Sequence, residues 1–161
     1  MSQNESIHRH FLYPGTLFAN PREYLISTVL GSCVSVCLWD AVARLGGMNH
    51  FMLPLWNGEG LATPKYGNIA IEKLLSKLFG MGCRSERLTA KVFGGANITG
   101  SGNDVFMIGS RNIMLASQLL EDYSIPVVAS DTGGHLGRKI IMNSASGIVL
   151  MARGAPRALR S

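Results

Sequence analysis

Apolar and polar positions alternate along the N-terminal third of the chain, which predicts strands with one buried face. The clearest alternation runs through Ser27–Trp39, where aliphatic side chains alternate with small polar or thiol side chains. A second apolar run, Leu45–Leu53, follows a turn at Asp40–Arg44 and is expected to pair with the first. The short run Thr16–Ala19 is a further strand candidate.

The pattern changes to a helical period in two later segments. Ile69–Phe79 and Arg111–Tyr123 carry apolar residues at helical spacing, and they are followed by Gly80 and Pro126, which end helices. Five more short apolar runs predict strands: Leu88–Phe93, Val105–Ile108, Val127–Ser130, Arg138–Met142 and Gly147–Met151. Strands outnumber helices without regular alternation, so the pattern favours an α+β fold over a doubly wound α/β sheet.

Composition supports one densely packed domain. The chain has 161 residues, of which 47% are hydrophobic and 16% charged, and it contains 19 Gly. A chain of this length is expected to form one domain, which we place at residues 1–161 with a core from about 12 to 152 and flexible ends. The segment Pro54–Asn68 is rich in Gly, Pro and Asn and predicts a long loop.

The net charge of +5 suits a negatively charged partner without naming one. Part of the excess lies near the ends, at His8–His10 and at Arg153, Arg157 and Arg160, where we expect solvated termini. No basic stripe interleaved with aromatic residues is present, so we expect no nucleic-acid partner. The polar N-terminus and the lack of a long apolar run predict a cytoplasmic protein without membrane insertion.

The sharpest chemical signal is a cysteine and a histidine on the two predicted neighbouring strands. Cys33 follows Gly31 and Ser32, and His50 comes seventeen residues later. A thiol is a strong nucleophile as the thiolate, which a neighbouring imidazole favours. Gly31 would let a substrate carbonyl approach the backbone, and amides around Gly31, Ser32 and Cys33 could bind an oxyanion.

A purely structural interpretation of the pair remains open on spacing alone. Free cysteines are among the most buried residues, and a histidine can be a hydrogen-bonded core residue. Cys37 and Cys83 are expected to be structural, and the odd number of cysteines argues against a disulfide framework.

Other motifs do not reach the pattern that their chemistry needs. Gly95–Ser101 has Walker-like glycines, but Ser101 stands where a lysine must reach phosphate. Asp131-Thr132-Gly133 echoes an aspartic protease, although such a site needs two carboxylates. The histidines and cysteines lack metal-ligand spacing, so we expect neither a metal nor an organic cofactor.

The sequence is similar to that of the CheD family of bacterial chemotaxis proteins. The resemblance rests on several segments in the same order, which span roughly residues 16–151. They are LGSCVSVCLWD, GGMNHFMLP, Lys65–Asn68, Ala90–Ala96, Ile108–Asn112, and Asp131–Gly134 with Gly137–Arg138. The resemblance favours a catalytic role for Cys33 and His50 and makes the Asp131 motif a family turn.

The resemblance implies a single-domain, three-layer α/β/β sandwich and a chemoreceptor glutamine deamidase. The cysteine would be the nucleophile, the histidine its acid–base partner, and a threonine six residues before the cysteine the third member. Ser27 occupies that position here, with Thr28 as the alternative if the strand register shifts by one. The implied partners are the cytoplasmic helices of methyl-accepting chemotaxis receptors and a CheC-type phosphatase. No cofactor is implied.

Two other functions remain open at this stage. The chain could act as a non-catalytic adaptor that binds the receptor or the phosphatase. It could also use the same thiol and imidazole as a receptor methylesterase or another thiol hydrolase. The loop aromatics Trp56 and Tyr66 are a candidate substrate rim or a cover for the core.

Overall fold

A computed structural model describes residues 6–100, 102 and 107–154. The strands form two sheets. One has the order β1 (His8–Phe11), β3 (Tyr24–Leu30), β8 (Gly137–Asn143) and β9 (Val149–Gly154). The other has the order β2 (Leu17–Ala19), β5 (Leu45–Asn49), β4 (Val34–Asp40), β6 (Leu88–Gly94) and β7 (Val127–Thr132). Two pairs are parallel, β1 with β3 and β6 with β7, and the others are antiparallel.

The two helices, α1 (Gly67–Gly80) and α2 (Ile108–Asp122), pack on the outer face of the five-stranded sheet. The aliphatic residues of β4 contact the helices, while its alternate residues face the four-stranded sheet. The core therefore has two parts, one on each side of the central sheet. This arrangement confirms the predicted three-layer α/β/β sandwich.

Both predicted helices are confirmed with ends shifted by a few residues. Ile108, predicted as the end of the strand Val105–Ile108, instead begins α2, and residues 105 and 106 of that predicted strand lie outside the described residues. The Pro54–Asn68 loop is confirmed up to Tyr66, after which α1 begins.

The predicted strand Ser27–Trp39 is wrong as a single element. It divides into β3 and β4, which belong to different sheets, and Gly31–Cys33 forms the connection. The apolar pattern runs through this break, so periodicity alone did not reveal it. The predicted strand Leu45–Leu53 likewise ends earlier, at Asn49.

The N-terminal segment expected to be solvated does expose His8 and Arg9, and its residues 8–11 are also part of the fold. They form strand β1, whose backbone pairs with β3. Two of its side chains stack on aromatic rings, His8 on Tyr24 at a ring distance of 5.1 Å and His10 on Phe18 at 3.9 Å. The basic residues Arg157 and Arg160 lie outside the described part of the chain.

Candidate active site

Cys33 lies on the turn that carries the chain from one sheet to the other. The carbonyl of Cys33 accepts a hydrogen bond from the N–H of Gly95 at 2.9 Å, and the carbonyl of Gly31 accepts one from Ala96 at 3.0 Å. Gly94 has a φ of +105°, and a Cβ there would overlap the Cys33 carbonyl. Glycine is therefore needed where β6 passes this turn. The thiol itself is partly exposed.

His50 follows the last residue of β5 and is held by its backbone. Its N–H donates to the carbonyl of Thr16 at 3.0 Å, and its carbonyl accepts from Gly15 at 2.8 Å. The side chain is buried, with a relative exposure of 2%. The histidine thus has a fixed position on the strand side of the site.

The strand register places Cys33 and His50 on one face of the central sheet. Val34 and Phe51 form a hydrogen-bonded antiparallel pair, with N–O distances of 3.1 and 3.0 Å. Cys33, which precedes Val34, packs against the apolar cluster between the two sheets, and His50, which precedes Phe51, contacts Thr28 of β3, so both candidates lie on the face opposite to Val34. Residues in such diagonal positions of a regular antiparallel pair are roughly 7–8 Å apart. A substrate carbon or a proton could pass between them.

Thr28, and not Ser27, makes the hydrogen bond to the imidazole. Its Oγ1 lies 2.7 Å from Nδ1 of His50 and also 2.7 Å from the carbonyl oxygen of Leu12. A carbonyl oxygen only accepts, so the hydroxyl proton of Thr28 goes to Leu12. The hydroxyl oxygen must then accept from Nδ1–H, which leaves Nε2 of His50 with its lone pair.

The preference for Ser27 is therefore corrected in favour of the alternative. Successive side chains of a strand point to opposite faces, and Thr28 is fully buried between the sheets. Ser27 is partly exposed on the outer face of the four-stranded sheet, where its register partners are Phe11 and Ile141. It cannot reach His50 from there.

Burial keeps both candidate groups neutral in the free protein. It lowers the pKa of His50 to about 4 and raises the pKa of the Cys33 thiol above its usual value. The thiolate expected from the sequence is thus disfavoured at rest. The geometry instead suits a neutral imidazole that takes the thiol proton while the sulfur attacks.

Several polar groups near the site lack the partners that buried groups normally have. Within the described residues, buried side-chain atoms without a hydrogen-bond partner are Ser35 Oγ, Asn49 Nδ2 and Asn112 Oδ1. Ser35 is opposite His50 in the strand register, and Asn49 precedes His50. Incomplete satisfaction of this kind is typical of functional sites rather than of optimised cores.

Asn112 is a buried polar residue beside the candidate site that sequence reasoning did not single out. It is fully buried in α2, and its Nδ2 donates to the carbonyls of Ser32 and Met52 at 3.0 and 3.1 Å. These carbonyls come from the cysteine turn and from the segment after His50. A polar residue within the apolar pattern of α2 was the available signal, but its partners are far away in sequence.

Comparison with known proteins supports one family. Residues 52–153 match the family model described as CheD chemotactic sensory transduction. The chain belongs to the CheD family. A protein of Trichlorobacter lovleyi named probable chemoreceptor glutamine deamidase CheD is 58% identical over 92% of this chain and 92% of its own length. A protein of the same name from Sulfurimonas denitrificans is 45% identical over 89% of this chain and 92% of its own length.

The structure also shows the contacts of three other residues discussed in the sequence analysis: Asp131, Gly31 and Cys37. Asp131 forms ion pairs with Arg138 at 2.7 Å and with Arg153 at 2.9 Å, which accounts for its carboxylate. An added Cβ at Gly31 would lie 3.5 Å from Ile98, an ordinary contact, so packing alone does not require glycine there. Cys37 is buried, and burial raises its pKa to about 12. It is therefore not a second nucleophile.

A groove of about 520 Å³ lies between the long loop and α2. Tyr66 lines it together with Leu53, Pro54 and Leu55, while Arg111 and Gln118 line it from α2. Trp56 is partly buried and donates its ring N–H to the carbonyl of Glu59 at 3.0 Å.

In the described part of the chain, neither helix is long and apolar enough to cross a membrane.

Proposed function

We propose that this chain is a protein-glutamine deamidase that converts glutamine side chains of chemoreceptors to glutamate. The observation that carries the proposal is the 2.7 Å contact between Thr28 Oγ1 and His50 Nδ1, because it leaves Nε2 as a base on the face that holds Cys33. The names of the relatives from Trichlorobacter lovleyi and Sulfurimonas denitrificans support the substrate class.

The first half of the reaction forms a thioester. The sulfur of Cys33 attacks the carboxamide carbon while the thiol proton passes to Nε2 of His50. The carbonyl electrons move to oxygen and give a tetrahedral oxyanion, which N–H groups of the Gly31–Cys33 turn stabilise. The carbon–nitrogen bond then breaks as the imidazolium donates its proton to nitrogen, and ammonia leaves.

The second half releases glutamate. Neutral His50 takes a proton from water, and the resulting hydroxide attacks the thioester carbon. The carbon–sulfur bond breaks, and the proton returns from His50 to the sulfur of Cys33. Thr28 keeps the imidazole in the same tautomer through both halves, since its own proton is committed to the carbonyl of Leu12. The chemistry uses the side chains of this chain and water.

The partner and the location follow from this substrate. A cytoplasmic receptor helix must present its side chain at the surface, which fits the partly exposed Cys33 and requires a cytoplasmic enzyme. The net charge of +5 suits a receptor surface rich in carboxylates. A CheC-type phosphatase would regulate the enzyme by occupying the face that binds the receptor.

Incubation with a receptor cytoplasmic fragment tests the activity. We expect released ammonia and glutamine-to-glutamate conversion by mass spectrometry, both lost in Cys33→Ala. Cys83→Ala is the matched control, because this thiol lies beside the carbonyl of Leu45, away from the site. Receptor that binds the wild-type protein but keeps all its amides would contradict the deamidase and favour an adaptor. Loss of receptor methyl esters with intact amides would instead favour the methylesterase.

A further inference from the structure

The backbone around Cys33 is fixed by an unusually complete set of hydrogen bonds to its carbonyls. The carbonyls of Gly31 and Cys33 accept from backbone N–H groups of Ala96 and Gly95. The carbonyl between them, that of Ser32, accepts from the Asn112 side chain at 3.0 Å. Each of the three consecutive carbonyls of the turn therefore has its own donor.

The N–H groups of Ser32 and Cys33, in the same turn, differ from these carbonyls in their hydrogen bonding. Past the Val34–Phe51 pair the two segments separate, since the N–H of Leu53 donates to Lys65 and its carbonyl accepts from Gly67. Leu53 is thus withdrawn from the ladder position opposite Ser32. Within the part of the chain that the structure describes, the N–H groups of Ser32 and Cys33 have no hydrogen-bond acceptor.

Asn112 lies at the point where the segments separate. Its single Nδ2 donates to Ser32 on one segment and to Met52 on the other. The reverse orientation of the amide would place Oδ1 against two carbonyl oxygens, so the observed one is fixed. Within the described residues, the Oδ1 atom of Asn112 has no hydrogen-bond partner, which costs folding free energy. Holding the Ser32 and Met52 segments together does not by itself require this cost.

We infer that Asn112 is a positioning residue that aims the Cys33 N–H as an oxyanion donor. In a planar trans peptide the C=O and the N–H point in opposite directions. By holding the Ser32 carbonyl on the α2 side, Asn112 directs the Cys33 N–H away from α2. The thiol and His50 lie on that side of the sheet, opposite to α2. The bond from Ala96 to Gly31 orients the Ser32 N–H by the same rule. The inference deepens the proposed deamidase and rests on it.

Two chemical probes distinguish stabilisation of the oxyanion from reactivity of the Cys33 thiol. When a receptor peptide with an aldehyde in place of the glutamine carboxamide binds, the sulfur of Cys33 bonds to the carbonyl carbon, the thiol proton passes to Nε2 of His50, and the carbonyl oxygen becomes the oxyanion. Iodoacetamide alkylates the same sulfur at a saturated carbon, loses iodide and creates none. In Asn112→Ala we expect about 100-fold weaker aldehyde binding and about 100-fold lower kcat, with KM and the alkylation rate close to wild type.

Two further variants and one spectrum guard against a folding artefact. Asn112→Asp keeps the size of the side chain but removes the two donated bonds, and it should resemble Asn112→Ala. Asn143→Ala removes another side chain–backbone clamp far from the site and should change neither probe. Activity is normalised to alkylatable Cys33. In the wild-type protein, the Cys33 amide proton should move downfield when the aldehyde binds, which requires no variant.

The results distinguish the two proposals. Equal losses of aldehyde binding and alkylation, unchanged aldehyde binding in Asn112→Ala, or an unmoved Cys33 amide proton would each overturn the role of Asn112 while the deamidase stands. Wild-type protein that is alkylated but neither deamidates the receptor fragment nor binds the aldehyde would overturn both.

Discussion

Strand β4 has a buried polar group at each end, and the two ends are built in opposite ways. At the far end, the Asp40 carboxylate accepts backbone N–H groups and the Arg87 guanidinium, with its side chain fully buried. At the near end, Cys33 and His50 are desolvated without a charged partner. Ser35, beside them, has an unpaired hydroxyl.

The difference also appears in the ionisation of the two ends. Burial alone would raise the pKa of Asp40, but the hydrogen bonds from Ala43, Arg84, Arg87 and Val42 outweigh it and lower that pKa. Burial acts unopposed on Cys33 and His50. A saturated polar group stabilises one structure, whereas groups with spare donors and acceptors remain available to a substrate. Buried polar groups occur at both ends of β4, so their presence does not distinguish the candidate site. What distinguishes it is that polar groups there lack partners.

The largest effect should come from removing the saturated end. Asp40→Ala leaves several N–H groups and the Arg87 guanidinium without their acceptor, so we expect the free energy of unfolding to fall by about 3–5 kcal/mol. Activity per folded molecule should stay unchanged, because the site is at the other end of the strand. Urea unfolding and deamidation assays on the same sample measure the two quantities. A loss of specific activity with intact stability would reverse the comparison.

Acid should act mainly through the desolvated end. The imidazole of His50 has a pKa of about 4 when folded and about 6.5 when unfolded, so the unfolded chain binds the proton first. Stability is complete above about pH 6.5 and falls by roughly 3 kcal/mol as the pH drops towards 4. Urea unfolding between about pH 7 and 4.5 should show this slope, and His50→Asn should remove most of it. An equal slope in that variant would contradict the assignment.

The sequence predicted the elements whose signals are local. Helical periodicity located α1 and α2, and the family resemblance brought Cys33 and His50 forward. Strand β1 was missed because its stability comes from pairing with β3 and from ring stacking, which are long-range contacts. The partners of Asn112 are likewise distant in sequence.

The choice between Ser27 and Thr28 shows where counting along a sequence fails. Counting back from Cys33 selected Ser27, but Gly31–Cys33 is a turn, so the spacing across it does not preserve the alternation of a strand. The side of β3 that faces His50 is set by its pairing with β1 and β8. Only the three-dimensional register could assign the hydroxyl.

A smaller effect is expected from removing the hydroxyl of Thr28, with removal of the Ser27 hydroxyl as the comparison. Thr28→Val keeps the shape but removes the acceptor of Nδ1–H, so the imidazole can change tautomer and shift. We expect kcat to fall by about 100-fold with little change in KM. Ser27→Ala is the matched control and should leave kcat unchanged, because its side chain lies on the outer face. The assignment of Thr28 fails if Ser27→Ala is the variant that loses activity.

The smallest effect tests whether the near end of β4 is truly unsaturated. Ser35→Ala removes a buried hydroxyl that has no partner, and it leaves no other group unpaired. We therefore expect the free energy of unfolding to rise by about 1 kcal/mol, since an unpaired buried hydroxyl is costly. Asp40 offers no such gain, because every change there breaks bonds. Destabilisation by Ser35→Ala, measured by urea unfolding, would mean that this hydroxyl has a partner, and the contrast between the two ends would lose one of its supports.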